Sequence, residues 1–170
     1  MANNKVKTAK TEKSSQGRAH WLPLVAVAFG VSLIIMDATI VNVALPVMIK
    51  DIGLTITQAE WINAVYSLMF ASLLITFGRL GDLYGRRTLF ALGMGLFVIA
   101  SLLAGFASDG TLLITARVAQ GMGAAMILPT TLSTLNTLYR GKERAIAFAV
   151  WGATIGGMAA LGPLLGSWLT

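Results

Sequence analysis

Gly78-Arg79-Leu80-Gly81-Asp82-Leu83-Tyr84-Gly85-Arg86-Arg87 is a charged, glycine-studded island between two long apolar runs. The flanking runs are hydrophobic enough to sit in lipid, and the island is not. Working outward, the alternation repeats along the chain. Apolar runs over 21–49, 61–80, 88–107, 111–139 and 145–168 are joined by short polar links, and residues 1–20 form a basic, unpatterned tail. A membrane span needs about 20 largely apolar residues at roughly 1.5 Å each. Every run reaches that length, the second by drawing on its flanks. The pattern predicts an all-α membrane protein of five transmembrane helices rather than five buried helices of a soluble domain.

Composition points the same way. Of 170 residues, 56% are hydrophobic and 12% charged, with a mean hydropathy of +0.75; soluble domains are usually about a quarter charged. The net charge of +6 could serve nucleic acid or acidic lipid. The basic residues alternate with membrane-length runs instead of forming one surface, which argues against nucleic acid. The absence of cysteine excludes disulfides and thiolate metal sites, and the single histidine, His20, excludes a multi-histidine centre. No nucleophile–base pair or metal cluster suggests an enzyme, and no cofactor is implied. The run from Leu22 to Met48 far exceeds a signal-peptide apolar region of about 7–15 residues, so it reads as a retained first span.

Lys5, Lys7, Lys10, Lys13 and Arg18 lie in the tail, Arg79, Arg86 and Arg87 in the first island, and Arg140, Lys142 and Arg144 in a second; the alternate loops hold only Lys50. Basic residues in short loops mark the cytoplasmic side. The chain therefore starts in the cytoplasm and its fifth span ends outside. Trp21, Trp61 and Trp168 fall near the expected interfaces, and Tyr66 with Trp61 reads as part of an outer aromatic belt.

Within span one, Asp37 lies about 15 residues, roughly 22 Å, from the cytoplasmic edge, in the segment Asp37-Ala38-Thr39-Ile40-Val41-Asn42-Val43-Ala44-Leu45-Pro46. An acid at that depth faces a cavity or a partner. It reads as a proton-binding or cation-sensing group, with a permanent structural ion pair as the alternative. In span four, Arg117, Gln120, Gly121 and Ala124 share one helical face, whose small residues admit a close neighbour. Arg117 lies about six residues, roughly 9 Å, from the outer end of its span, which puts an Asp37–Arg117 pair within reach of a snorkelling side chain. In span five, Gly162 and Gly166 form a GxxxG pair suited to helix packing, and Pro163 should kink the helix. Asn63 and Asn136 line a cavity or bond to neighbouring helices, the latter being favoured. In the island, Gly81 and Gly85 permit a sharp reversal, and Asp82 precedes span three, where a helix N-terminus favours negative charge.

Residues 78–90, with Gly78, Leu80, Asp82, Gly85, Arg86 and Arg87 in matching positions, resemble the signature loop of the major facilitator superfamily. The span-one segment resembles that of its 14-span drug:proton antiporter branch. Leu113, Arg117, Gln120, Gly121 and Gly123 to Ala125 resemble the span-four motif, and Gly162-Pro163 with Gly166 the antiporter motif of span five. Met158 and Ser167 depart from the usual glycines there. The resemblance implies the N-terminal half of a major facilitator fold and proton-coupled efflux of small lipophilic or cationic molecules across the cell membrane. It assigns proton coupling to Asp37 and Arg117 and a conformational latch to Gly78, Asp82, Gly85, Arg86 and Arg87. It gives cavity or packing roles to Asn42, Gln120, Gly121, Gly162, Pro163 and Gly166. Transporters of this fold have two six-helix halves. The implied partners are therefore substrate, proton, membrane lipid and a C-terminal half, and the chain reads as an N-terminal fragment. The alternatives are a sugar or metabolite carrier of the same superfamily and a small membrane interaction protein acting at its present length.

Overall fold

The computed structural model describes the backbone of residues 2–169 and the side chains from Trp21 onward, except at 165 and 168–170. The expectations for His20 and Trp168 lie outside the described side chains. Among the described residues the chain is a bundle of five helices: α1 (Ala2–Asp51), α2 (Ile56–Tyr84), α3 (Arg86–Gly105), α4 (Gly110–Leu138) and α5 (Gly141–Leu169). All five contain a segment long and apolar enough to cross a membrane. α1 runs back through residues 2–20, where the sequence suggested an unpatterned tail. That stretch contains no proline and is rich in Lys and Ala, both good helix formers.

Local chemistry sets the helix ends. Thr55 and Gln58 form a reciprocal capping box at the start of α2. The Asp109 carboxylate accepts from the backbone N–H groups of Thr111 and Leu112 at the start of α4. Between α2 and α3 a single residue, Gly85, breaks the helix with φ +98°, a conformation that glycine alone adopts without strain. The island is therefore not the loop that its polarity suggests. Gly78 to Tyr84 complete α2, and Arg86 and Arg87 begin α3. Asp82 sits in the last turn of α2 and does not cap α3. Gly81 is helical and buried, and a Cβ there would sit 3.3 Å from both Leu89 Cδ2 and Thr130 Cγ2. Its small size serves packing, and the reversal belongs to Gly85. Pro163 lies inside a continuous α5.

Packing divides the bundle in two. α4 packs along both α2 and α3, α1 packs along α5, and a thinner contact between α1 and α4 joins the two groups. Glycines set the close approaches. A Cβ at Gly121 would lie 2.7 Å from the Tyr66 carbonyl of α2, and one at Gly123 would lie 2.9 Å from the Gly93 carbonyl of α3. On α5, a Cβ at Gly166 would lie 3.0 Å from Val43 Cβ. α4 is the most enclosed helix, burying 50% of its apolar window against 11% for α2 and α5. Large apolar side chains such as Phe29, Ile75, Leu92 and Ile99 point outward. In water an apolar surface of that extent is a liability; in lipid it is the expected exterior.

Candidate functional site

The seam between α1 and α4 carries a buried polar network. Arg117 of α4 is 1% exposed, and its Nη1 donates to Asp37 Oδ2 of α1 at 2.5 Å and to Gln120 Oε1 at 2.9 Å. Its Nε donates to the Ile62 carbonyl of α2 at 3.3 Å. The Gln120 amide completes the circuit, donating to Asp37 Oδ1 at 2.7 Å and to Ser101 Oγ of α3 at 2.9 Å. The network thus joins four helices, and its carboxylate, held by two α4 side chains, remains 15% exposed. Arg117, Gln120 and Gly121 share a face because helical residues three and four apart are neighbours. Gly121 lets α2 come close enough for its Ile62 carbonyl and Tyr66 ring to reach the guanidinium.

A charge buried at this depth must be paired and hydrogen-bonded. Here the carboxylate accepts at both oxygens. The arginine fork serves three groups, which the single point of a lysine could not do. The pair crosses the seam, so loss of the carboxylate charge would weaken the contact between α1 and α4 while leaving α4 packed on α2 and α3.

Tyr66 differs from the expectation of an outer aromatic belt. It is 8% exposed, not part of an interfacial belt, and the Arg117 guanidinium carbon stands 4.2 Å from its ring centroid. Trp61, one turn earlier, is exposed. The available signal was the i, i+4 spacing of Ile62 and Tyr66, which puts both on the α2 face that meets α4. Ser101 gave no signal, being one small polar residue in an apolar helix.

The other candidate residues fall in three places. Asn63 Nδ2 of α2 donates to Asn42 Oδ1 at 2.8 Å, and Asn42 Nδ2 donates to the Ala38 carbonyl, so this amide pair bridges α1 and α2. Gly162 and Gly166 face Thr39 and Val43 of α1, while a Cβ at Gly152, Gly156 or Gly157 would meet nothing within 4 Å. At the island, Arg86 donates from Nε and Nη2 to Asp82 Oδ1 at 3.2 and 3.0 Å. Its Nη1 donates to the Ser133 carbonyl at 2.9 Å and to Thr137 Oγ1. Arg86 therefore ties the α2–α3 junction to α4. Gly78 is an ordinary contact for Pro129 of α4. Arg87 is exposed, beside a groove of about 410 Å³ that Asp82, Arg86, Thr134 and Thr137 also line.

The described residues thus form a bundle of five membrane-length helices with an ion pair buried on an internal seam. The model of the Major Facilitator Superfamily matches residues 27–170, and the chain belongs to that family. It is therefore a multi-pass membrane protein. It is 43% identical over 151 residues to the puromycin resistance protein pur8 of Streptomyces alboniger, spanning 88% of this chain and 30% of that one. It is 39% identical over 147 residues to the multidrug efflux pump LfrA of Mycolicibacterium smegmatis, covering 86% and 29%. Against the methyl viologen resistance protein SmvA of Salmonella typhimurium it is 40% identical over 147 residues, covering 86% and 30%. A crystal structure of a bacterial homologue of the human lysosomal transporter Spinster, inward-facing and unoccupied, superposes with a TM-score of 0.76 at 22% identity. It covers 89% of this chain and 32% of that one, and the likeness is one of fold. The chain thus spans about 30% of the length of these curated relatives.

Proposed function

We propose that this chain is the N-terminal part of a proton-coupled exporter of small lipophilic or cationic molecules in the cell membrane, with its N-terminus in the cytoplasm. The observation that carries the reading is the Asp37 carboxylate, held in an ion pair across the α1–α4 seam and still partly open. Relatives named for drug resistance and multidrug efflux support the substrate class. The orientation rests on the basic tail and the two basic islands.

In this reading Asp37 carries the proton. As a carboxylate it holds Arg117 and closes the seam. Once protonated it no longer balances the guanidinium, and α1 with α5 is free to shift against α2, α3 and α4. Gln120 passes the change to Ser101 on α3, and Gly121 keeps α2 within reach. Gly162 and Gly166 keep α5 moving with α1, and Pro163 gives α5 a site of bending. Asn42 with Asn63 stitches the outer part of α1 to α2. At the cytoplasmic end, Gly78, Asp82, Gly85, Arg86 and Arg87 act as a latch. Gly85 is its hinge, the Asp82–Arg86 pair its internal tie, and Arg87 its exposed cation toward a second transporter half.

Bacteria carrying the full-length protein should tolerate higher concentrations of puromycin or methyl viologen than cells with an empty vector. A protonophore should abolish the accompanying fall in cellular drug content. If drug content is the same with and without the protein, or if the protonophore has no effect on it, the reading fails.

A further inference from the structure

Arg117 has two anchors on α2, one turn apart: the Ile62 carbonyl and the face of the Tyr66 ring. The Tyr66 hydroxyl is buried without a hydrogen-bond partner among the described residues. A buried hydroxyl left unsatisfied is a net cost, so the hydroxyl does not explain why this side chain occupies the site. The ring does. Its negative face attracts a cation, and the attraction strengthens where water is excluded.

We propose that Tyr66 is the positioning residue that receives Arg117 when Asp37 takes up its proton. The inference rests on the proton-carrying reading of Asp37. Protonation removes the charge that balances a guanidinium only 1% exposed. That cation cannot stand bare in the bundle. Besides the weaker acceptor of the neutral carboxyl, the groups left to it are Gln120 Oε1, the Ile62 carbonyl and the Tyr66 ring, and two of these three belong to α2. The arginine therefore shifts its weight from α1 to α2, which keeps α4 attached to α2 while the seam to α1 loosens.

Among the described residues no other charge substitutes for the ring. Around Asp37, α4 contributes Arg117, α2 contributes Tyr66, and α3 contributes the neutral Ser101. α5 has no ionisable side chain between 145 and 164. Glu60 of α2 is exposed, and Lys50 and Asp51 lie more than three turns further along α1.

Because the ring serves the arginine best once the carboxylate is neutral, it favours the protonated state. Removing it makes Arg117 depend more on the carboxylate, so the proton binds at lower pH. A desolvated cation–ring contact is large enough to move the midpoint by about one pH unit.

The test is an infrared titration of the protonated-carboxyl band in the full-length protein in lipid nanodiscs, with the band assigned by its loss in Asp37→Asn. Tyr66→Leu should move the midpoint of that band to lower pH by about one unit, and Tyr66→Phe should leave it in place. Fluorinated phenylalanines at position 66 weaken the ring face without changing its shape. They should move the midpoint downward step by step with each added fluorine, which keeps the test decisive if Tyr66→Leu does not fold. An Asp37 band whose midpoint ignores fluorination, or that moves as far in Tyr66→Phe as in Tyr66→Leu, overturns the role of Tyr66 and leaves the proton carrier intact. Absence of any pH-dependent band that disappears in Asp37→Asn overturns the proton-carrying role itself, and this inference with it.

Discussion

Arg117→Ala should lower the stability of the full-length protein by about 3–5 kcal/mol, the usual result of stripping one partner from a buried ion pair. The substitution leaves the Asp37 carboxyl inside the bundle, with Gln120 Nε2 as its one remaining hydrogen-bond donor among the described residues. It also vacates the space between α1, α2 and α4. Arg117→Lys should recover only part of the loss, because an ammonium cannot reach the Asp37 carboxylate, the Gln120 amide and the Ile62 carbonyl in one geometry. The informative variant is the double substitution Asp37→Asn with Arg117→Gln. Both charges disappear together, so most of the stability should return, while gradient-driven transport should not. Thermal unfolding in detergent measures the first effect and transport in vesicles the second. If Arg117→Ala unfolds at the wild-type temperature, the pair does not hold the seam.

Gly162→Ala is the second large effect. An added Cβ would overlap Thr39 Oγ1 and lie 2.5 Å from Thr39 Cβ. Thr39 cannot swing aside cheaply, since its hydroxyl donates to the Ile35 and Met36 carbonyls at 2.9 Å. α1 and α5 must therefore separate. Overpacking of this kind typically costs about 1–3 kcal/mol, and a Thr39 side chain held by its hydroxyl puts this site at the upper end. Gly156→Ala supplies the contrast on the same helix. Nothing lies within 4 Å of its added Cβ, and the better helix propensity of alanine should leave the unfolding temperature unchanged or slightly raised. Equal sensitivity at the two positions would show that α5 does not meet α1 through the Gly162 face.

The sequence revealed the helices and their buried faces well, because hydropathy and helical spacing report on lipid and on packing directly. The face of Arg117, Gln120 and Gly121 was legible for that reason, and the depths of Asp37 and Arg117 brought the pair within reach. The island was read less well. Its charges and glycines look like a loop, yet all but Gly85 are helical. A helix that emerges from lipid into water turns polar before it ends, and composition cannot separate those two events. Tyr66 and Ser101 were missed for a different reason. Their partner lies on another helix, and spacing along one helix identifies a face but not what comes to meet it. Gly81 and Gly85 show the same limit. One serves a close approach and the other a positive φ, and only three-dimensional neighbours distinguish them.

In the proposed mechanism Asp37 couples the proton to movement across the α1–α4 seam. The most direct measurement is drug uptake into inverted vesicles carrying the full-length protein, driven by an imposed pH gradient, with wild type and Asp37→Asn compared at equal protein. The wild type should accumulate drug against its gradient. Asp37→Asn should bring drug only to equilibrium across the membrane, whatever the pH difference. Uphill accumulation by Asp37→Asn at the wild-type rate would show that Asp37 does not couple the proton to transport.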